Sequence, residues 1–338
     1  MVIRTGIFFF CIFIGLFTPG VSADVTGDVT LVDDTTLIDQ SGRTIDMSRP
    51  FSRIISLYGA HTENLFYLGL DSEIIGVSRS DSYPEKAQAK PAFSYHDDPE
   101  RFLAARPDLV LIRPMIDRGY ARLTKRLEQS GITVVSIQPS TIEQMYEYWK
   151  ILGLLTGKKD TSLRMIQQFQ VAVEKFSAYS KNVTPPQKVY FEAIHDKMKT
   201  FSNGSMTDFV LKTAGGINIA HDARPSRGSN IAVYGKERIL SKAADIDVFL
   251  SQKGPMNRPT LDQIKNEPGF SVIRAIRNNR VYIIDEHIVS RPTMRLLHGI
   301  HQTGILVYPE FSGTAWDTVF QEAITPLPDR IYNETTGN

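Results

Sequence analysis

The chain has 338 residues, a length that suggests about two domains. Apolar residues make up 42% and charged residues 22%, which excludes collagen-like and disordered classes. With 38 basic and 37 acidic residues the formal charge is +1, so no global field attracts nucleic acid, and a single cysteine excludes a disulfide scaffold or a multi-cysteine metal site.

Residues 1–4 carry one positive charge, and residues 6–17 (GIFFFCIFIGLF) form an apolar run too short to span a bilayer comfortably. Thr18, Pro19 and Gly20 break the run, and Val21-Ser22-Ala23 supplies the short side chains of a cleavage site. This order predicts a secretory signal peptide over residues 1–23. Cys11 lies inside the run, preceded by phenylalanines rather than by the small residues of a lipoprotein site. Cleavage after Ala23 leaves 315 residues, 37 basic and 37 acidic, with no thiol. The expected product is a soluble periplasmic protein, and no later stretch is apolar for long enough to cross a membrane.

Residues 24–36 read as a loose acidic lead-in, and 36–47 as a hairpin around Gln40-Ser41-Gly42. A buried strand over 53–57 is followed by a helix over 62–70 ended by Gly69, and by a strand over 73–77. Next come a short helix over 99–105, a strand over 108–112 (DLVLI), an amphipathic helix over 118–130 stopped by Gly131, and a strand over 132–137. Continuous apolar strands alternating with helices suit a parallel sheet covered on both faces. Residues 140–156 read as a helix. After Gly157, residues 160–180 place Leu163, Ile166, Phe169, Val173 and Phe176 at helical spacing, over about 30 Å. The alternation then restarts, with strands over 188–194, 247–251 and 280–285 and helices over 206–214, 238–244, 268–277 and 294–306. The expected class is α/β, with an N-terminal unit over 24–157, a connecting helix over 158–182 and a C-terminal unit over 183–338.

No phosphate loop, dinucleotide fingerprint or nucleophile elbow is present. His298 and His301 stand three apart on a predicted helix, with no carboxylate at a matching offset, and read as helix surface. In open α/β sheets, ligands bind beyond the carboxyl ends of the strands. There the chain places Tyr58, His61, Arg79, Tyr83, Tyr95, His96, Arg113 and Gln138 in the first half. The second half adds His195, Ser202-Asn203, Lys253, Met256-Asn257, His287 and Arg291. Aromatic faces and guanidinium groups suit a large, partly conjugated ligand with acidic substituents. A catalytic site would more often pair carboxylates for proton transfer.

Five segments in order resemble the periplasmic substrate-binding proteins of ABC importers for iron–siderophore complexes, haem and cobalamin. They are TLIDQSGRTIDMSRPFSRIISL, HTENLFYLGLDSEIIGVSRSDSYP, PERFLAARPDLVLI, FSNGSMTDFVLKTAGGINIA and NEPGFSVIRAIRNNRVYIID. The resemblance spans about residues 36–309. It implies two Rossmann-like lobes, central sheets flanked by helices, joined by one long rigid helix, with the ligand between the lobes. It also implies a monomer that docks on an inner-membrane permease dimer through one glutamate per lobe. By local alignment these are Glu100 and Glu237, each of which also reads as a helix-start glutamate favoured by the dipole.

The chain departs from the family where cobalamin binders show tryptophan and haem binders a ligating tyrosine; Tyr95-His96 stands there. It also has Ala244-Asp245-Ile246-Asp247 where the second lobe often has Pro-Asp. Arg224 and Arg227 add cations expected near the second-lobe cleft, which favours an acidic ligand such as a ferric siderophore over a corrinoid or haem. The expected function is capture and delivery of an iron- or cobalt-containing chelate, with no catalysis, no cofactor of its own and no nucleic-acid partner. The alternatives are a two-lobed tetrapyrrole chelatase and a binder of free metal or of a molybdate-like oxyanion.

Overall fold

The computed structural model describes residues 27–225 and 229–325; the expected signal peptide and Arg227 lie outside them. The chain opens with an antiparallel ribbon of β1 (Thr30–Asp33), β2 (Thr36–Ile38) and β3 (Thr44–Asp46). The expected hairpin is β2–β3. The expected loose lead-in is instead partly a strand, because β1 pairs back on β2.

The first lobe carries a parallel sheet of β4 (Ile54–Ser56), β5 (Ile74–Ser78), β6 (Ala92–Phe93), β7 (Leu109–Ile112) and β8 (Thr133–Ser136). Its strand order is β6-β5-β4-β7-β8, and every pairing is parallel. Strand order therefore reverses between β4 and β7, which makes a crevice at their carboxyl ends. The helices are α1 (Gly59–Tyr67), α2 (Pro99–Ala105), α3 (Pro114–Gly119), α4 (Ala121–Gln129) and α5 (Ile142–Leu155). Asp98 caps α2 by accepting from the Glu100 amide, with Pro99 in the first turn where its missing N–H costs nothing. Thr141 caps α5.

The helix expected over 118–130 is two helices. The break is at Tyr120, whose φ of −134° and ψ of 41° leave the helical region. There the Tyr120 ring packs against Tyr95 and His96. The start of α1 also moves three residues earlier than expected, which puts His61 in a helix rather than a loop.

After Gly157, whose φ of +67° suits glycine, α6 (Lys159–Ser180) runs 22 residues, about 33 Å. Its buried seam is Ser162, Met165, Gln168, Phe169, Ala172, Phe176 and Ser180; Leu163, Ile166 and Val173 of the expected stripe are half-buried. Phe169 meets Trp149 of α5 edge-on, with centroids 5.3 Å apart, and Phe176 packs on Trp316 at 4.5 Å. One hydrophobic core therefore runs from the ribbon through α5 and α6 into the second lobe. Each such aromatic contributes about 1.5–3 kcal/mol by burial.

The second-lobe sheet is mixed. Its strands are β9 (Lys188–Ile194), β10 (Lys199–Phe201), β11 (Ile217–Asn218), β12 (Ile231–Val233), β13 (Val248–Lys253) and β14 (Val281–Asp285). The order is β12-β10-β9-β13-β14, with β11 also on β9; β10 runs antiparallel to both of its neighbours. Its helices are α7 (Met206–Thr213), α8 (Lys236–Ser241), α9 (Leu261–Lys265), α10 (Arg274–Arg277), α11 (Glu286–Val289), α12 (Leu296–Val307) and α13 (Ala315–Ile324). The helix expected over 268–277 is only α10 and a preceding 3-10 turn. Among the described residues, no helix is long and apolar enough to cross a membrane.

Candidate ligand-binding cleft

The crevice between β4 and β7 is built from the residues that follow them. Tyr58 ends the loop after β4, and Arg113 precedes α3 after β7. The Arg113 guanidinium carbon lies 5.0 Å from the centre of the Tyr58 ring, a cation–π contact at the switch point. Tyr58 is half-buried, and burial raises its phenol pKa, so it stays neutral.

Tyr95 and His96, after β6, and Tyr120, after α3, form a three-ring cluster. Centroids are 4.6 Å apart for Tyr95–His96, 4.7 Å for Tyr95–Tyr120 and 4.9 Å for His96–Tyr120. The Tyr120 hydroxyl lies 3.2 Å from His96 Nε2. Tyr95 and Tyr120 are half-buried and His96 is exposed. Tyr120 is absent from the sequence-derived set because the amphipathic pattern places it inside a helix. Arg79 is 61% exposed and pairs with Asp97 at 2.5 Å.

His61 is corrected: it is fully buried and faces no cleft. Its Nε2 donates to the Ile112 carbonyl at 3.0 Å, and its Nδ1 accepts from the Tyr148 hydroxyl at 2.7 Å. Asn64 donates in turn to Tyr148. Burial pulls the imidazole down to about 4, so His61 is a neutral internal strut. His195 is corrected likewise. It is 5% exposed, and Nδ1 lies 3.0 Å from Glu192 within β9; that hydrogen bond raises its pKa.

Arg291 is no free cation for a ligand, because Glu63 on α1 holds it across the seam between the lobes. Glu63 accepts from Arg291 Nη1 at 2.9 Å, and from Arg295 Nε and Nη2 at 2.8 and 2.7 Å. The Glu63 side chain is 3% exposed, Arg291 12% and Arg295 16%. Gly59 permits the approach: a Cβ there would lie 2.3 Å from Arg291 Nη1. Asn64 Nδ2 and Trp149 Nε1 both donate to the Pro292 carbonyl, at 3.0 and 3.1 Å. Arg295 also covers the Tyr83 ring at 4.2 Å, and Tyr83 remains 47% exposed. Arg224 is exposed next to the Pro225–Ala232 bridge on edge strand β12, and no described contact joins it to the other candidates.

Asp81 sits beside Gly59 and accepts from Thr62 Oγ1 at 2.6 Å. Burial raises its carboxyl to about 6, against an ordinary value of 3.8. Its native state therefore holds a proton that the unfolded chain has released between about pH 4 and 6. Stability from this group is present below pH 4 and is lost as pH rises through 6. Asp81→Asn is expected to gain on the wild type by about 2–3 kcal/mol between pH 4 and pH 7, as measured by urea midpoints.

A groove of about 540 Å³ lies between α2 and α4, lined by Glu100, Arg122, Lys125 and Arg126 among others. Glu100 is 65% exposed and pairs with Arg126 at 2.9 Å. Glu237, in the first turn of α8, is exposed and joins no ion pair among the described residues. No group of three or more His, Cys, Asp and Glu side chains suited to a metal ion occurs among the described residues.

A family model described as periplasmic binding protein matches residues 54–288. A vitamin B12-binding protein of Vibrio campbellii is 28% identical over 257 residues, covering 74% of this chain and 87% of its own. An uncharacterized ABC transporter substrate-binding lipoprotein of Bacillus subtilis is 22% identical over 284 residues, covering 83% of this chain and 88% of its own. Among solved structures, a possible iron-binding, periplasmic solute-binding protein from Staphylococcus epidermidis aligns with a TM-score of 0.67 at 26% identity. That alignment covers 77% of this chain and the whole of the other.

Proposed function

The chain belongs to the periplasmic binding protein family, and on that premise we propose that it captures a metal chelate between its lobes and delivers it to an ABC importer permease. The observation that carries this reading is the aromatic cluster of Tyr95, His96 and Tyr120, which with the Tyr58–Arg113 pair follows the carboxyl ends of strands of one parallel sheet. Flat ring faces and one guanidinium stacked on a phenol suit a conjugated or chelate-type ligand with a few polar substituents. Relatives named for vitamin B12 and iron binding support that ligand class. A ferric siderophore, a corrinoid and haem are the ligands this class offers, and Tyr95 and His96 are the side chains we assign to stack on the ligand or to reach its metal. Lobes over 24–157 and 183–338 hold it, with 158–182 as the spacer. Export by the signal peptide at residues 1–23 puts the protein in the periplasm, and Glu100 and Glu237 meet the permease. A chelatase reading gains nothing from the family match.

Native mass spectrometry and visible spectra of protein purified from its own periplasm test the ligand class, since haem, corrinoids and ferric siderophores absorb differently. A ligand-free protein that takes up none of these in titration overturns the reading. Tyr95→Ala and Tyr120→Ala are each expected to weaken ligand binding by about 1–3 kcal/mol in titration calorimetry. Unchanged affinity in both removes the cluster from the site.

A further inference from the structure

The two expected docking places carry opposite charge. At the second lobe, the cations beside Glu237 are already spent. Lys236 is held by Glu267, and Arg238 pairs with Asp222 at 2.5 Å. Glu237 is thus an exposed carboxylate in a neutralised surrounding. At the first lobe the balance is reversed. Glu100 is compensated by Arg126, while Arg122 and Lys125 stand exposed on the same groove, in no ion pair among the described residues. Glu128, the one acid on α4, is turned to Arg43 of the ribbon. Asp98 spends a carboxylate oxygen capping α2. The buried face of α4 is Leu123, Thr124 and Leu127, so these cations are held on its outer side by the packing beneath.

A partner surface that carried cations alone would be opposed by Arg122 and Lys125 as it approached Glu100, since like charges brought together across an interface are costly, so the surface that meets this groove has to carry acids as well. We propose that the groove between α2 and α4 receives an acidic segment of the importer permease, whose carboxylates meet Arg122, Lys125 and Arg126. The Glu100–Arg126 pair opens on docking: Arg126 turns to the partner's acid and Glu100 to a partner cation. The first lobe then docks chiefly by its cations and the second by Glu237. This rests on the importer reading above, and it adds the chemistry of the partner surface.

The test uses the full mature protein and the importer complexes of the source bacterium, each in nanodiscs of zwitterionic phosphatidylcholine. Binding is followed by surface plasmon resonance at two salt concentrations. The double variant Arg122→Glu/Lys125→Glu is expected to bind at least about tenfold more weakly than wild type at low salt, with a flatter salt dependence. Ligand affinity and thermal midpoint should stay unchanged. Wild-type binding with an unchanged double variant overturns the groove assignment alone. No wild-type binding to any of these importer complexes overturns the importer reading itself. A protein-free nanodisc containing phosphatidylglycerol serves as the other arm. If the double variant loses affinity there while keeping it for the importer, the groove faces anionic lipid and the permease assignment is wrong.

Discussion

Glu63→Gln is expected to destabilise the protein by about 3–5 kcal/mol. The carboxylate is 3% exposed and neutralises two guanidiniums that are themselves 12% and 16% exposed. Glutamine keeps its shape but leaves Arg291 and Arg295 facing one another with no acid between them. Breaking a buried pair by removing one partner costs far more than the pair contributes, because the remaining charge has lost its water as well. Arg295→Met is expected to cost less, since Glu63 keeps Arg291. The double variant should then recover part of the loss, with a coupling of roughly 1 kcal/mol or more. Urea unfolding of the four proteins measures the cycle. Because one apolar core spans both lobes, a single transition is expected. A Glu63→Gln midpoint close to wild type would mean that the seam is hydrated and the pair idle.

This seam also shows where sequence reasoning stops. Parallel strands such as β7 are legible because both faces are covered, so LVLI is apolar throughout and all four residues are buried. The long helix is legible from its periodicity. Strands β10 and β12 are not: three residues, KTF or IAV, carry no period, and they become strands only by pairing with each other and with β9. The break at Tyr120 is hidden for the same reason. The apolar pattern over 118–130 survives it, and only the packing of Tyr95 and His96 shows why the helix yields.

Site chemistry is less legible than fold because it depends on what each group meets. Arg291 and Arg79 both follow strands and both read as ligand cations. One is tied to Glu63, distant in the sequence, and the other to Asp97. His61 reads as a loop histidine, yet the helix starts early and both its ring nitrogens are used internally. Tyr58 and Arg113 keep their expected place because the strand order alone puts the ends of β4 and β7 side by side.

Loss of uptake is expected to be severe when Glu100 and Glu237 are both replaced by alanine, and unequal when either is replaced alone. Glu237 is exposed and unengaged among the described residues, so a partner cation gains it without first breaking anything. Glu100 must first give up Arg126 at 2.9 Å, although both side chains are about half exposed and the pair contributes at most about 1 kcal/mol. Charge pairs desolvated in an interface couple by about 1.5–7 kcal/mol. Glu237→Ala should therefore lower transporter stimulation severely and Glu100→Ala more mildly. The double variant loses Glu237 outright and leaves the first lobe only the contacts of Arg122, Lys125 and Arg126, so much of the high effective concentration that the second contact enjoys once the first is made goes with it. The measurement is ligand uptake and ATP hydrolysis by the reconstituted importer over a range of loaded-protein concentrations. Fold and ligand affinity serve as controls, because both carboxylates are surface groups outside the aromatic cluster. Wild-type uptake by the double variant at every concentration would return both residues to the role of helix-start glutamates. Equal losses from the two single variants would instead mean that Arg126 does not compete for Glu100 once the protein is docked.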